Sequence, residues 1–238
     1  MTHPHTPGAT TALLSTTYFG PVLWYQKLYR YPHVLMEHCE SFQKQTYRNR
    51  CLIATTQGIQ ALTVPIERGS NPANDDGGKP IHASHIKNIR ISDHGNWQQL
   101  HWNALCTAYH ESPFFDYYQD DLHPFFEHRW TYLLDFNHAI CAKICELLDI
   151  TPDISPTTHY TANPNGSDYI AANKESPAQT TGLIRDFRES IRPKHPAADA
   201  DFQPQPYYQV YARKHGFQPN LSILDLLCNM GPESIFYL

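Results

Sequence analysis

The sequence predicts an α/β fold, a mixed and partly parallel sheet with packed helices in a single domain. Two observations carry that expectation. Strand, helix and strand signals follow one another within about 25 residues near the start of the chain, the pattern of a right-handed crossover between parallel strands. Apolar runs of strand length then alternate with longer runs of helical period, which favours helices layered on a sheet. A chain of 238 residues that is 41% hydrophobic and 17% charged can bury one substantial core. The same composition excludes a solvated, disordered chain.

Each element has its own signal. Residues 1–10 read as a flexible tail. Residues 12–17 (Ala-Leu-Leu-Ser-Thr-Thr) form the first expected strand, and Gly20-Pro21 opens a helix, since proline suits a first helical position. Leu23, Trp24, Lys27, Leu28 and Tyr31 have amphipathic spacing and stop before Pro32, and residues 34–37 give a second buried strand. Residues 51–54 and 60–66 predict two strands around a turn at Gln57-Gly58. Residues 70–80 are rich in Asn, Asp, Gly and Pro and read as a mobile loop. The alternation in residues 87–91 predicts a half-exposed strand. Asn96 is expected to cap a helix running to Tyr109, and a second helix is expected from Pro124 to Leu148. The proline-rich stretch 151–206 predicts long loops around one helix near 181–191. Near the end, Ser222 and Asp225 have capping-box spacing, Leu221, Leu224, Leu226 and Leu227 supply an apolar side, and Gly231-Pro232 stops the helix.

The formal net charge of −5 includes no dense basic run, which argues against non-specific nucleic-acid binding. The six cysteines contain no Cys-x-x-Cys, and Cys141 and Cys145 share a helix face as packing residues, so a reduced intracellular set is expected. No basic segment followed by an apolar run opens the chain, and no stretch approaches 18 apolar residues. A cytoplasmic protein without a transmembrane segment is therefore expected.

Three places could hold chemistry. Lys44, Arg48 and Arg50 lie close together with Tyr47 and Asn49 between them, and in an extended chain the three cations would share one face. Arginine forks suit phosphate or carboxylate, so the segment is a candidate site for an anionic small-molecule donor such as a sugar nucleotide. The alternative is an exposed strand edge with internal ion pairs. The strand-to-helix turn at residues 16–21, which includes Tyr18, is the second place, because helix starts and strand carboxyl ends attract anions. The third is His101, a candidate general base four residues after Trp97, with Tyr47 and Tyr109 placed to orient a sugar. His82 with His85, and Glu37-His38-Cys39, fall short of a metal ligand set, so no metal is assigned. No Gly-x-Gly-x-x-Gly or Walker motif is present, and the cofactor is left unknown.

The pattern Leu221-Ser222-Ile223-x-Asp225-Leu226-Leu227-x-Asn229-x-Gly231-Pro232-Glu233 resembles the signature of the WbqC-like proteins. Thr17-Tyr18-Phe19-Gly20-Pro21 is similar to that family's opening, and residues 43–50 are similar to its Lys-x-x-aromatic-x-Asn-Arg motif. Leu62-Thr63-Val64-Pro65 and the set Trp97, His101, Tyr109, Pro113 and Phe115 extend the likeness. Cys51 and residues 151–206 depart from it. The resemblance implies a role in bacterial O-antigen or other surface-polysaccharide biosynthesis, as a transferase of glycosyl groups or of acyl groups to an amino sugar. The alternative is a non-catalytic ligand-binding or interaction protein using the same cationic cleft. Substrate, reaction and oligomeric state are not specified by the sequence.

Overall fold

The computed structural model describes residues 9–67, 84–160, 162–164, 183–197, 199 and 201–238. Residues 1–8, the expected loop at 70–80 and His82 lie outside them. Four parallel strands form the central sheet: β1 (Ala9–Ser15), β2 (His33–Glu37), β5 (Ile154–Pro156) and β6 (Leu183–Asp186), in the order β5-β2-β1-β6. The crossover between β1 and β2 is helix α1 (Val22–Arg30). Thr11 pairs with His33 and Ser15 with Glu37, so both strands end at the same level.

Period-2 alternation divides the sheet's apolar side chains. Ala12, Leu14, Val34 and Met36 join the large core, while Leu13, Leu35 and Ile184 form a small cluster of their own. Helix α1 is buried from Val22 to Leu28, and its Trp24 Nε1–H donates to the Ser15 carbonyl at 2.9 Å. The hairpin of β3 (Arg50–Thr55) and β4 (Gly58–Thr63) is antiparallel, with Arg50 opposite Thr63.

Helices α2 (Trp97–Tyr109), α3 (Phe115–Leu122), α4 (Pro124–Glu127) and α5 (Leu133–Leu147) follow, then α6 (Ala212–His215) and α7 (Ile223–Met230). A 3-10 helix at Gly231–Tyr237 follows α7. Helix α7 grips the β1–α1 turn. Ile223 N–H donates to Gly20 O, Ser222 Oγ to Phe19 O, and Val22 N–H to Leu221 O. That turn is tight: Phe19 has φ +40, and a Cβ on Gly20 would lie 2.4 Å from Thr17 Oγ1.

Several elements differ from the sequence expectations. The helix expected near 181–191 is instead strand β6 over its described first part, because a place beside β1 offers a backbone ladder. Residues 87–91 form a 3-10 turn (Ile86–Asn88) and isolated bridges, Ile66 to Ile91 and Arg90 to Tyr132. The helix expected from Pro124 to Leu148 breaks after Glu127. Residues 128–132 leave it so that Thr131 O can accept from Ile91 N–H and Leu133 N–H can donate to Ile89 O. Helix α3 was not foreseen. Asn96 stands at the start of α2 without a side-chain cap. The capping box is half formed: Ser222 Oγ accepts from Leu224 N–H, but Ser222 N–H donates to Leu52 O and Asp225 turns inward.

Asp225 is 1% exposed and accepts from Tyr207 Oη–H and Gln209 Nε2–H, each at 2.7 Å. Burial pushes its carboxyl up to about 6 despite those donors. A carboxyl whose folded pKa is raised binds its proton more tightly when folded, so this contribution to stability is full below about pH 4 and is lost as pH rises through 6. Asp225→Asn should lack that loss. Its stability relative to the parent chain should rise by up to about 1.4 kcal/mol per pH unit across this window, read from urea denaturation at each pH. A pH-independent difference would place the titration elsewhere.

Candidate functional site

The connections around the sheet identify one edge. From β1 the chain moves to β2 and then β5, and it returns to the other flank of β1 as β6. The β1/β6 boundary is thus a switch point, and open α/β sheets bind ligands beyond the carboxyl ends of strands there. The segments reaching this edge are residues 15–17 after β1, 37–44 after β2 and 186–192 after β6.

Two guanidinium groups lie under the edge. Arg48, 2% exposed, forks onto Glu40: Nε–H donates to Oε1 at 2.7 Å and Nη2–H to Oε2 at 2.5 Å. The same Nη2 donates to Ser15 Oγ at 2.7 Å, and that hydroxyl donates to Glu40 Oε2. Among the described residues no hydrogen bond uses Arg48 Nη1. Arg188 pairs with Glu37 through Nη1 and with Asp186 through Nε and Nη2. Glu37 is fully buried and also accepts from Thr157 Oγ1–H and Cys39 N–H. Both carboxylates are buried yet compensated, the condition under which such pairs are tolerated. A crevice of about 10 Å³ between Ser15, Thr17, Arg48 and Arg188 has room for about one water.

Glu40 also lines a cavity of about 540 Å³, together with Gln43, Lys44, His85 and Tyr160 among others. Lys44 is exposed at its rim. The Tyr160 ring is half exposed and is backed by the Arg188 guanidinium at 5.0 Å. His85 Nδ1 lies 3.0 Å from the Cys39 carbonyl. A carbonyl only accepts, so Nδ1 carries a proton and donates it to that oxygen. Gln43 Nε2–H donates to Glu189 Oε1, tying the loop after β2 to the loop after β6.

The residues singled out in the sequence fall in three groups. Tyr18, Tyr47 and Arg48 come together: Tyr18 N–H donates to Tyr47 O, and Arg48 reaches Ser15 at the head of the same turn. Lys44 reaches the cavity rim. Arg50, Asn49 and Tyr109 go elsewhere. Arg50 Nε–H donates to Thr63 Oγ1 on the hairpin, and Asn49 Nδ2–H to the Val64 carbonyl. Tyr109 is buried, and its phenol is pushed well above the ordinary value by burial and by the Asp225 charge.

The shared cationic face expected for Lys44, Arg48 and Arg50 does not form. The chain from 44 to 48 turns rather than extends, with Gln45 at φ +60 and Thr46 Oγ1–H donating to Gln43 O. His101 is also displaced from its expected role as a base. It is 7% exposed, its Nδ1 lies 2.9 Å from the Tyr18 hydroxyl, and Trp97 packs against its ring. Burial lowers its pKa to about 4. The side chains sequence reasoning missed were Ser15, Glu40, Tyr160 and Arg188. The position of Ser15 in the carboxyl half of the strand expected at residues 12–17 was the signal available for one of them.

The chain from residue 17 to 237 matches the model of a family described as the WbqC-like protein family. It is also similar to a Mycobacterium tuberculosis protein named "Uncharacterized protein Rv1507c", 26% identical over 208 residues, covering 83% of each chain. No solved structure matches. Among the described residues no helix is long and apolar enough to cross a membrane. No three His, Cys, Asp or Glu side chains among them gather around one metal position.

Proposed function

This chain belongs to the WbqC-like protein family, and on that premise we propose a group-transfer enzyme of bacterial surface-polysaccharide assembly that holds an anionic sugar or activated acyl donor at the carboxyl edge of its parallel sheet. The observation that carries this reading is the 540 Å³ cavity beyond the carboxyl end of β2, lined by the same Glu40 whose carboxylate holds Arg48 and Ser15. Lys44 lines the cavity and is the cation for the donor's phosphate or carboxylate, while Arg48 stands behind Glu40 in the neighbouring crevice. Tyr160 offers an aromatic face for a sugar or base ring. His85 takes over the base role first given to His101, accepting a proton at Nε2 from the acceptor's hydroxyl or amine. The polysaccharide context rests on the family alone.

The alternative is a ligand-binding protein without catalysis. It is favoured by the neutralisation of both buried guanidiniums by carboxylates, which leaves less positive charge for a donor than the sequence suggested.

Thermal denaturation against nucleotide sugars, acyl-CoA and aminoacyl donors tests the site. A ligand at 100 times its dissociation constant should stabilise by about 2.7 kcal/mol. Lys44→Ala, at an exposed position, should remove that shift while keeping the unliganded midpoint. A shift that survives both Lys44→Ala and Tyr160→Ala would place the ligand elsewhere. His85→Ala should bind the donor but lose turnover. A parent chain that binds without ever forming product would favour the non-catalytic reading.

A further inference from the structure

We propose that His38 and His138 form a two-imidazole site for a divalent late transition-metal ion such as Ni²⁺ or Co²⁺, separate from the donor cavity. His38 follows β2, and His138 lies on α5. Their Nε2 atoms are 3.0 Å apart, with ring centroids 4.6 Å apart and planes inclined by 34°. A linear N–H···N bond would hold the centroids roughly 5.3 Å apart, the nitrogen separation plus two ring radii. The observed value is shorter, so the ring axes are bent away from the line joining the nitrogens.

Both rings line one cavity of about 480 Å³. Two nitrogens 3.0 Å apart have the spacing of neighbouring ligands set at a right angle around an ion roughly 2.1 Å from each, close to the usual metal–imidazole distance. That right-angle relation is the one found between neighbouring ligands in a tetragonal site. The cavity leaves room for the waters that would complete the coordination.

The chemistry of the lining agrees. The hydrogen bond between the two Nε2 atoms requires that at least one of them present a lone pair, the form that binds metal. Asp135 stands one turn before His138 on α5. The backbone of His38 is fixed by its N–H donating to Thr157 Oγ1 at 3.0 Å. Met36, Cys141 and Cys145 line the same cavity with soft sulfur. The Cys141 thiol is held well above its ordinary value by its hydrogen bond with Cys145 and by burial, so the site counts the two imidazoles and solvent only. In the metal-free pair one Nε2–H donates to the other Nε2. On binding, that proton moves to Nδ1 of the same ring, and none is released.

With 15 histidines in the chain, weak surface binding forms a background. Calorimetric titration of the whole chain with NiCl₂ should show one ion per chain above it. His38→Ala and His138→Ala should each weaken that site at least tenfold, and the exposed His110→Ala should leave it unchanged. Proton spectra of the unaltered protein with Co²⁺ should show two hyperfine-shifted imidazole N–H resonances, a readout that needs no variant. A single such resonance, affinity unchanged by His38→Ala, or binding no tighter than that of the double variant would overturn the proposal.

Discussion

Arg48→Ala should destabilise the fold by about 3–5 kcal/mol, the range for removing one partner of a buried ion pair. The effect is large because Glu40 is 3% exposed and would be left with only the Ser15 hydroxyl as a side-chain partner. Arg48→Lys retains the charge but not the fork, and should fall between the variant and the parent chain. Arg48→Met combined with Glu40→Gln removes both charges and should recover much of the loss, since an apolar replacement for a buried pair is often neutral. Equilibrium unfolding in urea reads all three. A loss below about 1 kcal/mol for Arg48→Ala would mean that solvent reaches Glu40 and that the floor of the cavity is open.

Gly231→Ala should cost about 2–4 kcal/mol, summed from a strained backbone and an overpacked contact. Gly231 ends α7 at φ +54, in the left-handed region where a side chain is strained. A Cβ there would also sit 2.5–2.6 Å from three ring carbons of Phe114, including Cγ, which cannot swing away without moving the whole ring. The Phe114 backbone is itself held, its N–H donating to the Cys228 carbonyl. Adding Phe114→Ala should make the two losses less than additive, because losing the ring removes the clash made by the new Cβ at position 231. Thermal unfolding of the four proteins measures this. Strict additivity would show that the backbone angle alone is responsible.

The parts of the fold legible in the sequence are those whose signals are local. Pro21 and Pro32 bracket α1, apolar runs mark β1 and β2, and the Gln57-Gly58 turn falls between the hairpin strands. Strand β6 was not legible, because Leu183-Ile184-Arg185-Asp186 is short, does not alternate cleanly, and takes its ladder from β1 far back in the chain. The break after Glu127 was hidden for the same reason, being set by residues 89–91. Helix α3 carries Asp116, Asp120 and Asp121 on a short segment, which reads as polar loop.

The site divides along the same line. Residue types announced the turn after β1 and the arginine at position 48. Only the folded chain shows Glu40 curling back onto that arginine. His101 looked like an accessible base because its burial depends on Tyr18, which bonds to its ring from a distant segment and itself packs on Phe136.

The grip of α7 on the β1–α1 turn bears on the order of assembly. Leu23 N–H bonds to Asn220 Oδ1 across 197 residues, and Ser222 Oγ to Phe19 O across 203. Contacts of such separation close large loops and form late, after local helices and the hairpin. During synthesis the segment around Phe19 emerges early but must wait for residues 220–223 before its hydrogen bonds can form. The wall of the carboxyl edge that begins at Ser15 is therefore finished only after residues 220–223 have left the ribosome. Until then the turn, the first strand and the apolar surface awaiting α7 stand open to chaperones and to neighbouring chains.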